Sequence, residues 1–197
     1  MARTVNEALR EKKRQLIIDA ASMLFSTRGY FATTISEIAK KAGISHAAVF
    51  TYFSSKEELL EAIILGPLKE ESLRLCKDLD QMGSPGRTLE SIVKNQIESL
   101  IQKGSYLRVV QIVLSQPAVF EKQAQIIFDL SEEIVSGLAR LIEQGQKAGE
   151  LSEGDPRATG WSYFAYVNGL GMVNHNPGTE IVREFIDRGC RIIGIVR

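Results

Sequence analysis

The chain has 197 residues, 44% of them hydrophobic and 24% charged, which is typical of a globular protein. Basic and acidic residues number 24 each, so the formal net charge is zero. Cys76 and Cys190 lie far apart without metal-binding spacing, which disfavours a disulfide framework and a zinc site. The polar N-terminus does not resemble a signal peptide, and the most apolar stretch, 161–173, is too short to span a bilayer. We therefore expect a cytoplasmic protein.

The N-terminal part of the chain predicts three helices in succession. The first has an apolar stripe at helical spacing that ends near Gly29: Ile17, Ala20, Ala21, Leu24 and Phe25. Thr34 and Glu37 fit a capping box that begins a second helix, and Gly43 stands where a left-handed residue ends it. Ser45 can cap a third helix at once. This is the helix-turn-helix pattern, which also occurs in helical bundles that bind no DNA.

The third helix is expected to have two different faces, because successive residues are rotated by about 100°. One face packs against the preceding helices and comprises Ile44, Ala48, Val49, Tyr52 and Phe53. The opposite face is small and aromatic and comprises His46, Ala47, Phe50 and Thr51. A face of this kind suits insertion into the major groove of DNA, which admits a helix.

A fourth helix follows immediately. Ser55 and Glu58 fit another capping box, with Lys56 in the first turn, where backbone N–H groups attract phosphate. The dipeptide Gly66-Pro67 is expected to kink this helix or to start a new segment, since proline removes one intrahelical hydrogen bond.

Charge is distributed unevenly along the chain. The first 56 residues contain nine Lys or Arg and four Asp or Glu, so they carry a charge of +5, and the remainder carries −5. A basic head on an acidic body is expected if only one end of the molecule meets a polyanion. Arg10 and the run Lys12-Lys13-Arg14 can follow a DNA backbone, or they can simply be a solvated helix start.

A resemblance to a known family is carried by the run IIDAASMLFSTRGYFATTISEIAKKAGISHAAVFTYFSSKEELLEAI. It resembles the N-terminal domain of the tetracycline-repressor-like (TetR) family of bacterial transcription regulators, from about Gln15 to Ile64. The resemblance implies an all-α fold with a three-helix helix-turn-helix DNA-binding domain over residues 1–56. Residues 57–197 would form a helical effector-binding and dimerisation domain.

The same resemblance implies which residues contact DNA. Thr33, Thr34 and Lys56 match positions that usually hold phosphates. The reading helix is matched by Ser45, His46, Ala47, Phe50, Thr51 and Tyr52. His46 stands where lysine is common and Phe50 where tyrosine is common, so one fixed positive charge and one hydroxyl are missing. His46 either contacts DNA or is merely exposed. Ala47 and Ala48 offer little hydrogen bonding to bases. We therefore expect contacts to thymine methyl groups and the shape of the DNA to contribute more to sequence recognition.

The rest of the chain predicts only helices, after a clear break at residues 83–86. The expected spans are 88–103, 106–115, 120–147, 156–174 and 179–196. The last two are the expected dimer face, and the final helix has an apolar stripe of Val182, Phe185, Ile186, Gly189, Cys190 and Ile193. Packing within one chain is the alternative. A two-fold homodimer, which the resemblance implies, requires a roughly palindromic operator.

An effector site is implied among the middle helices, at about 88–174. Aromatic and amide side chains there suit a mostly apolar pocket with few polar anchors, although each also fits a hydrophobic core: Gln96, Tyr106, Gln111, Phe128, Trp161, Phe164 and Asn168. His175 is the only histidine among residues 57–197, so no metal is expected.

No nucleophile elbow, phosphate-binding glycine loop or zinc motif occurs in the sequence, so we expect neither an enzyme nor a cofactor. The hypothesis is a dimeric repressor that a small molecule of unknown identity releases from double-stranded operator DNA. A ligand-responsive activator and a helical interaction module without DNA binding are the alternatives. DNA binding weakens as salt rises, which separates the last alternative from the other two.

Overall fold

The computed structural model describes residues 2–79, 83–102, 104–170 and 178–195. These residues form nine α-helices and one isolated antiparallel bridge, between Leu151 and Ile195. The all-α fold class is confirmed. The helices are α1 (Ala2–Arg28), α2 (Ile35–Ala42), α3 (His46–Val49), α4 (Lys56–Leu79), α5 (Pro85–Gln102), α6 (Gly104–Ser115), α7 (Glu121–Lys147), α8 (Pro156–Leu170) and α9 (Thr179–Ile193). Among the described residues, no helix combines the length and apolar character that crossing a membrane requires.

The first hydrophobic core joins the N-terminal helices to the body. The stripe predicted on α1 is buried, including Ile17 and Phe25, and it packs with Ile38 of α2 and Val49 of α3. The start of α4, together with α6 and the start of α7, completes this core. Burying a side chain of this size contributes about 1.5–3 kcal/mol, so the three short helices are held mainly by tertiary packing.

The second core lies among α5, α7, α8 and α9. Tyr163 of α8 is fully buried at its centre, and its hydroxyl donates a hydrogen bond of 2.6 Å to Oε1 of Gln96 on α5. α7 is the element shared by both cores, because it packs against α4 on one side and α8 on the other. A movement of α7 therefore reaches both halves of the molecule.

The helix predicted to begin at residue 106 begins at Gly104, and two further differences from the sequence prediction concern α4 and α5. α4 runs without interruption through Gly66 and Pro67, so no new segment starts there. A proline removes only one intrahelical hydrogen bond, and residues on both sides of this dipeptide, Ile64 and Leu68, pack in the first core. α5 begins at Pro85 and not at residue 88, because proline is well suited to the first position of a helix, where its missing N–H is not needed.

A long-range cap also fixes the start of α5. Oε2 of Glu150 accepts hydrogen bonds of 2.7 Å from Oγ of Ser84 and from the backbone N–H of Gly86. The Ser84 hydroxyl and then the Gly86 N–H hold the pKa of Glu150 below its ordinary value. Residues 103, 174 and 196, where predicted helices end, and His175 lie outside the described residues.

Candidate nucleic-acid interface

The capping box predicted at the start of α2 is confirmed. Oγ1 of Thr34 accepts from the backbone N–H of Glu37 at 3.3 Å, and Oε2 of Glu37 accepts from the backbone N–H of Thr34 at 2.8 Å. Arg28, at the end of α1, pairs with Glu37 at 3.0 Å. The Thr34 N–H, followed by the Thr34 hydroxyl and Arg28, lowers the pKa of Glu37. The start of α2 is thereby tied to the end of α1.

The turn between α2 and α3 has the predicted geometry. Gly43 ends α2 with φ of 71°, in the left-handed region that glycine adopts without a steric cost. Ser45 caps α3 by accepting from the backbone N–H of Ala48 at 3.2 Å. The α-helix itself spans only four residues, and hydrogen-bonded turns extend it to Phe53, whose N–H donates to the carbonyl of Val49. Local hydrogen bonds therefore define the reading element.

The two faces of α3 are arranged as expected. Val49 and Phe53 are buried in the first core. His46, Ala47, Phe50 and Thr51 are exposed. Phe50 is 46% exposed, and its ring meets the His46 ring edge to face, with 5.2 Å between centroids. These two rings form one continuous aromatic surface on the exposed face.

The hydroxyl groups of the three threonines predicted to contact DNA already donate to partners within the chain. Thr33 is 1% exposed, and its hydroxyl donates to the carbonyl of Gly29 at 2.9 Å. The hydroxyl of Thr34 donates to Glu37 within the capping box, at 2.9 Å. That of Thr51 donates to the carbonyl of Ala48 at 2.7 Å. Each hydroxyl oxygen keeps acceptor capacity, but a phosphate requires donors.

Lys56 makes the most extensive internal contact of the predicted DNA-binding residues. Its Nζ donates to the backbone carbonyls of Tyr30 and Thr33, at 2.8 Å each, and lies 4.4 Å from the centre of the Tyr30 ring. Burial lowers the pKa of this ammonium group. No sequence signal distinguishes a lysine that reaches outward to phosphate from one that folds back onto the preceding turn.

The predicted cap of α4 is only half right. Oγ of Ser55 accepts from the backbone N–H of Glu58 at 3.0 Å, as predicted. The Glu58 carboxylate does not bond the N–H of Ser55. It accepts from the hydroxyl and the backbone N–H of Ser54, one residue earlier, both at 2.6 Å. These bonds, the Ser54 hydroxyl first, lower the pKa of Glu58.

Basic side chains of α1 border the reading helix. A groove of about 260 Å³ is lined by Leu9, Arg10, Lys13, Thr51 and Tyr52. The guanidinium of Arg14, the next residue of α1, lies 5.3 Å from the centre of the Phe53 ring. The exposed face of α3 and the basic side of α1 therefore form one surface, which we call the reading surface. The positive charge of this surface comes from α1.

The predicted effector residues fall into separate groups. Phe128 of α7 and Trp161 and Phe164 of α8 form an aromatic cluster, with 6.5 Å between the centroids of Phe128 and Trp161 and 5.5 Å between those of Trp161 and Phe164. Phe128 is 59% exposed. Gln111 reaches the carbonyl of Asn168 at 3.4 Å.

The two remaining effector candidates are not brought to that cluster. Gln96 bonds Tyr163 in the second core. Tyr106 donates to the carbonyl of Ile64 on α4, at 3.3 Å. Neither pattern was readable from the sequence, because the partners of both side chains lie on distant helices.

The predicted dimer stripe faces the interior of its own chain. Gly189, Cys190 and Ile193 are buried, and a side chain at Gly189 would meet Val93, Ile97 and Tyr163. Val182, Phe185 and Ile186 pack, half-buried, against the same core. The stripe therefore seals α9 onto α5 and α8. Beyond Arg157 in its first turn, α8 exposes small residues about one helical turn apart: Ala158, Ser162, Ala165 and Gly169.

Comparison with known proteins agrees with this architecture. Residues 17–63 match the family model described as "Bacterial regulatory proteins, tetR family". The transcriptional regulator TtgR of Pseudomonas putida is 27% identical over 179 residues, which cover 86% of this chain and 83% of TtgR. A crystal structure of a tetR-family regulatory protein from Rhodococcus RHA1 has a TM-score of 0.72 at 25% identity, covering 94% of this chain and 99% of that one. AibR, solved with isovaleryl coenzyme A and operator DNA, shares the fold with a TM-score of 0.71 at 20% identity, covering 90% of this chain and 96% of AibR.

Proposed function

The chain belongs to the TetR family of DNA-binding transcription regulators, and from this premise we propose that it is a homodimeric repressor released from a palindromic operator by a small-molecule effector. Residues 1–56 would be its DNA-binding domain and residues 57–197 its effector-binding and dimerisation domain. The observation that carries the proposal is the reading surface, where a capped helix exposes His46 and Phe50 beside Arg10 and Lys13.

Readout of the operator would rely on apolar contact and shape more than on hydrogen bonds. The Ala47 methyl group and the Phe50 ring suit the C5-methyl group of thymine. His46 offers the main hydrogen-bonding group on this exposed face, because the Thr51 hydroxyl already donates to Ala48. Arg10 and Lys13 would supply phosphate contacts that hold the helix in its groove without selecting sequence.

Dimerisation would use the outer sides of α8 and α9. The small residues exposed on α8 include Ala165 and Gly169, and small side chains let two helices approach closely. A two-fold axis there would present two reading surfaces to half-sites about one helical turn of DNA, roughly 34 Å, apart or a multiple of that distance.

The effector would be a largely apolar small molecule that binds near the aromatic cluster of Phe128, Trp161 and Phe164. The carbonyl of Asn168 and the amide of Gln111 lie nearby as polar anchors. AibR was solved with both an acyl coenzyme A and operator DNA, which supports a ligand-responsive regulator in this fold. The effector would favour a distance between the two DNA-binding domains of the dimer that no longer fits two half-sites. α4 would be one connection between the effector site and each DNA-binding domain.

A selection from a random-sequence duplex pool tests DNA binding. We expect enrichment of a palindrome, with log affinity falling linearly against log salt, by about 0.9 per phosphate contacted. His46→Ala should change the preferred sequence, whereas Gln125→Ala, on the exposed side of α7, should not. A chain that binds no duplex at low salt would be an interaction module, and the proposal would be wrong.

Native mass spectrometry of freshly purified protein tests the other two parts of the proposal. We expect the mass of a dimer, with or without a co-purified small molecule. Adding the identified molecule should then lower operator affinity. Equal affinity with and without it would exclude an effector-released repressor, and higher affinity would favour a ligand-responsive activator.

A further inference from the structure

The first turn of α7 makes a part-buried polar contact with α4. Gln123 is only 4% exposed, and its Nε2 donates to Oε1 of Glu57 and Oε1 of Glu61, at 3.1 Å each. Glu57 and Glu61 are one helical turn apart at the start of α4. Lys122 also pairs with Glu61, at 2.8 Å. One turn of α7 thus binds two carboxylates, those of Glu57 and Glu61, on the helix that leaves the DNA-reading head.

The same turn of α7 contacts the head directly. The ring of Phe120, which precedes α7, stacks on Phe31 with 5.7 Å between centroids and an angle of 27°. It meets Tyr30 edge to face at 5.4 Å. Tyr30 and Phe31 lie in the turn between α1 and α2, four and three residues before the capping residue Thr34. This contact bypasses α4 altogether.

Lys56 makes a third contact between the segments that meet here. Its hydrogen bonds to the carbonyls of Tyr30 and Thr33 attach the start of α4 to the turn between α1 and α2. Three segments therefore meet at one place, which we call the head–body junction: the turn between α1 and α2, the start of α4 and the start of α7. Its residues are Tyr30, Phe31, Lys56, Phe120 and Gln123.

We propose that Gln123 and Phe120 are positioning residues for DNA recognition. The start of α7 orients the reading head by two contacts: Gln123 holds the start of α4, and Phe120 packs directly on the turn between α1 and α2. This inference rests on the proposed function. Phe128, in the aromatic cluster, is five residues beyond Gln123 on the same helix. A ligand that displaces α7 at Phe128 would also displace Gln123, and a buried amide between two carboxylates tolerates little misalignment before its hydrogen bonds break.

Hydrogen exchange on the full chain without DNA tests the proposal. Gln123→Met keeps the volume and removes both hydrogen bonds. Gln125→Met is the matched control, because Gln125 lies on the same helix, is exposed, and bonds only its neighbour Asp129 in the described structure. We expect amides of residues 30–33 and of α2 to exchange at least about threefold faster in Gln123→Met. The control should match the unmodified protein.

A merely structural role for Gln123 gives a different result. Exchange would then rise along α7 and in the second core while the head stayed protected, and that pattern would overturn the proposal. Gln123→Lys places a donor between the same two carboxylates, so we expect it to restore protection of the head. Faster head exchange in both Gln123→Met and Gln123→Lys would show that the hydrogen bonds are not what orients the head.

The stacking contact between Phe120 and Phe31 is tested by a second variant with its own control. Phe31 and Leu114 are 67% and 44% exposed, so both are surface apolar side chains, and Leu114 lies on α6. We expect Phe31→Leu to speed exchange in α2 and Leu114→Ala to leave it unchanged, and equal exchange in both would contradict a role for Phe120. No DNA is used in these measurements. A chain that binds no duplex but shows this exchange pattern would therefore contradict the proposed function. It would still support the inference that the head–body junction orients the head.

Discussion

The Nζ atom of Lys56 lies 2.8 Å from the backbone carbonyl oxygen of Thr33, and Thr33 is itself 1% exposed. The ammonium group therefore closes the turn that leads into α2, in addition to carrying positive charge near the reading surface. A second bond of the same length, to Tyr30, strengthens this closure. The charge that the sequence suggested for phosphate also holds the reading head together.

Replacing Lys56 by methionine should destabilise the chain. The variant loses two charge-assisted hydrogen bonds and the contact with the Tyr30 ring. A hydrogen bond to a charged group contributes about 1.5–3 kcal/mol, and partial exposure reduces this, so we expect a loss of about 1–2 kcal/mol in the free energy of unfolding. Chemical denaturation at neutral pH measures it.

Lys41→Met is the control for this experiment. Lys41 is an exposed residue of α2, and such substitutions usually change stability by less than about 0.5 kcal/mol. Duplex affinity of Lys56→Met should fall alike for all sequences, because the whole head is affected. Equal stability of the two variants would show that the Lys56 contacts contribute nothing to folding.

Dimer formation should be sensitive to the exposed side of α8. Ala165→Arg puts a long charged side chain among the small residues there, so close approach of a second copy is blocked. We expect sedimentation analysis to show a monomer, with operator affinity lost in parallel. Ala148→Arg, at an exposed position after α7, should remain dimeric. A dimer of unchanged stability in Ala165→Arg would place the interface elsewhere.

Short-range features of the fold were readable from the sequence, and long-range contacts were not. The caps made by Thr34 with Glu37 and by Ser45 join residues three apart, so a local pattern predicts them. The bonds of Gln123 to Glu57 and of Glu150 to Ser84 each span 66 residues. They exist only because packing brings distant helices together, which no local pattern encodes.

The final helix shows the same limit in another form. Periodicity correctly groups Gly189, Cys190 and Ile193 on one face of α9. It does not say whether that face is covered by the same chain or by a second copy, because both environments select apolar and small residues. The structure covers these three positions with the chain's own α5 and α8.

Acid should destabilise the start of α2 through Glu37. Its pKa in the folded chain is lowered, first by the Thr34 N–H, from an ordinary value of 4.5. A lowered folded pKa means that the stabilisation is complete above about pH 4.5 and is lost as pH falls through the folded value. Glu37→Gln keeps a capping side chain without a titrating group, so its stability should depend less on pH in that window.

Glu37→Gln will remove only part of the pH dependence of stability. Glu58 and Glu150 also have lowered pKa values, and both still titrate in the variant. Denaturation midpoints measured between pH 6 and pH 3 check the prediction against the unmodified chain. Identical pH profiles for the two proteins would mean that the capping box contributes no proton-linked stability.

Gly189→Ala should destabilise the second core, although alanine favours a helix over glycine by roughly 0.5–1 kcal/mol. An added Cβ would lie 2.8 Å from Cγ1 of Val93, and 3.4 Å from Cδ1 of Ile97 and from Cε2 of Tyr163. Overpacking typically costs about 1–3 kcal/mol, which exceeds the gain in helix propensity. We therefore expect a net loss of about 1–2 kcal/mol in the free energy of unfolding.

Gly169→Ala provides the comparison that separates packing from propensity. Gly169 is also helical, but an added Cβ there meets nothing within 4 Å. Because Gly169 lies on the side of α8 where a second copy is proposed to pack, both variants are compared in the Ala165→Arg chain, which we expect to be monomeric. With no clash to oppose it there, the propensity gain should leave the Gly169→Ala variant as stable as that chain or more stable by several tenths of a kcal/mol. Thermal and chemical unfolding at one protein concentration measure both variants. If Gly189→Ala were as stable as Gly169→Ala, α9 would not be packed as closely against α5 and α8 as these distances require.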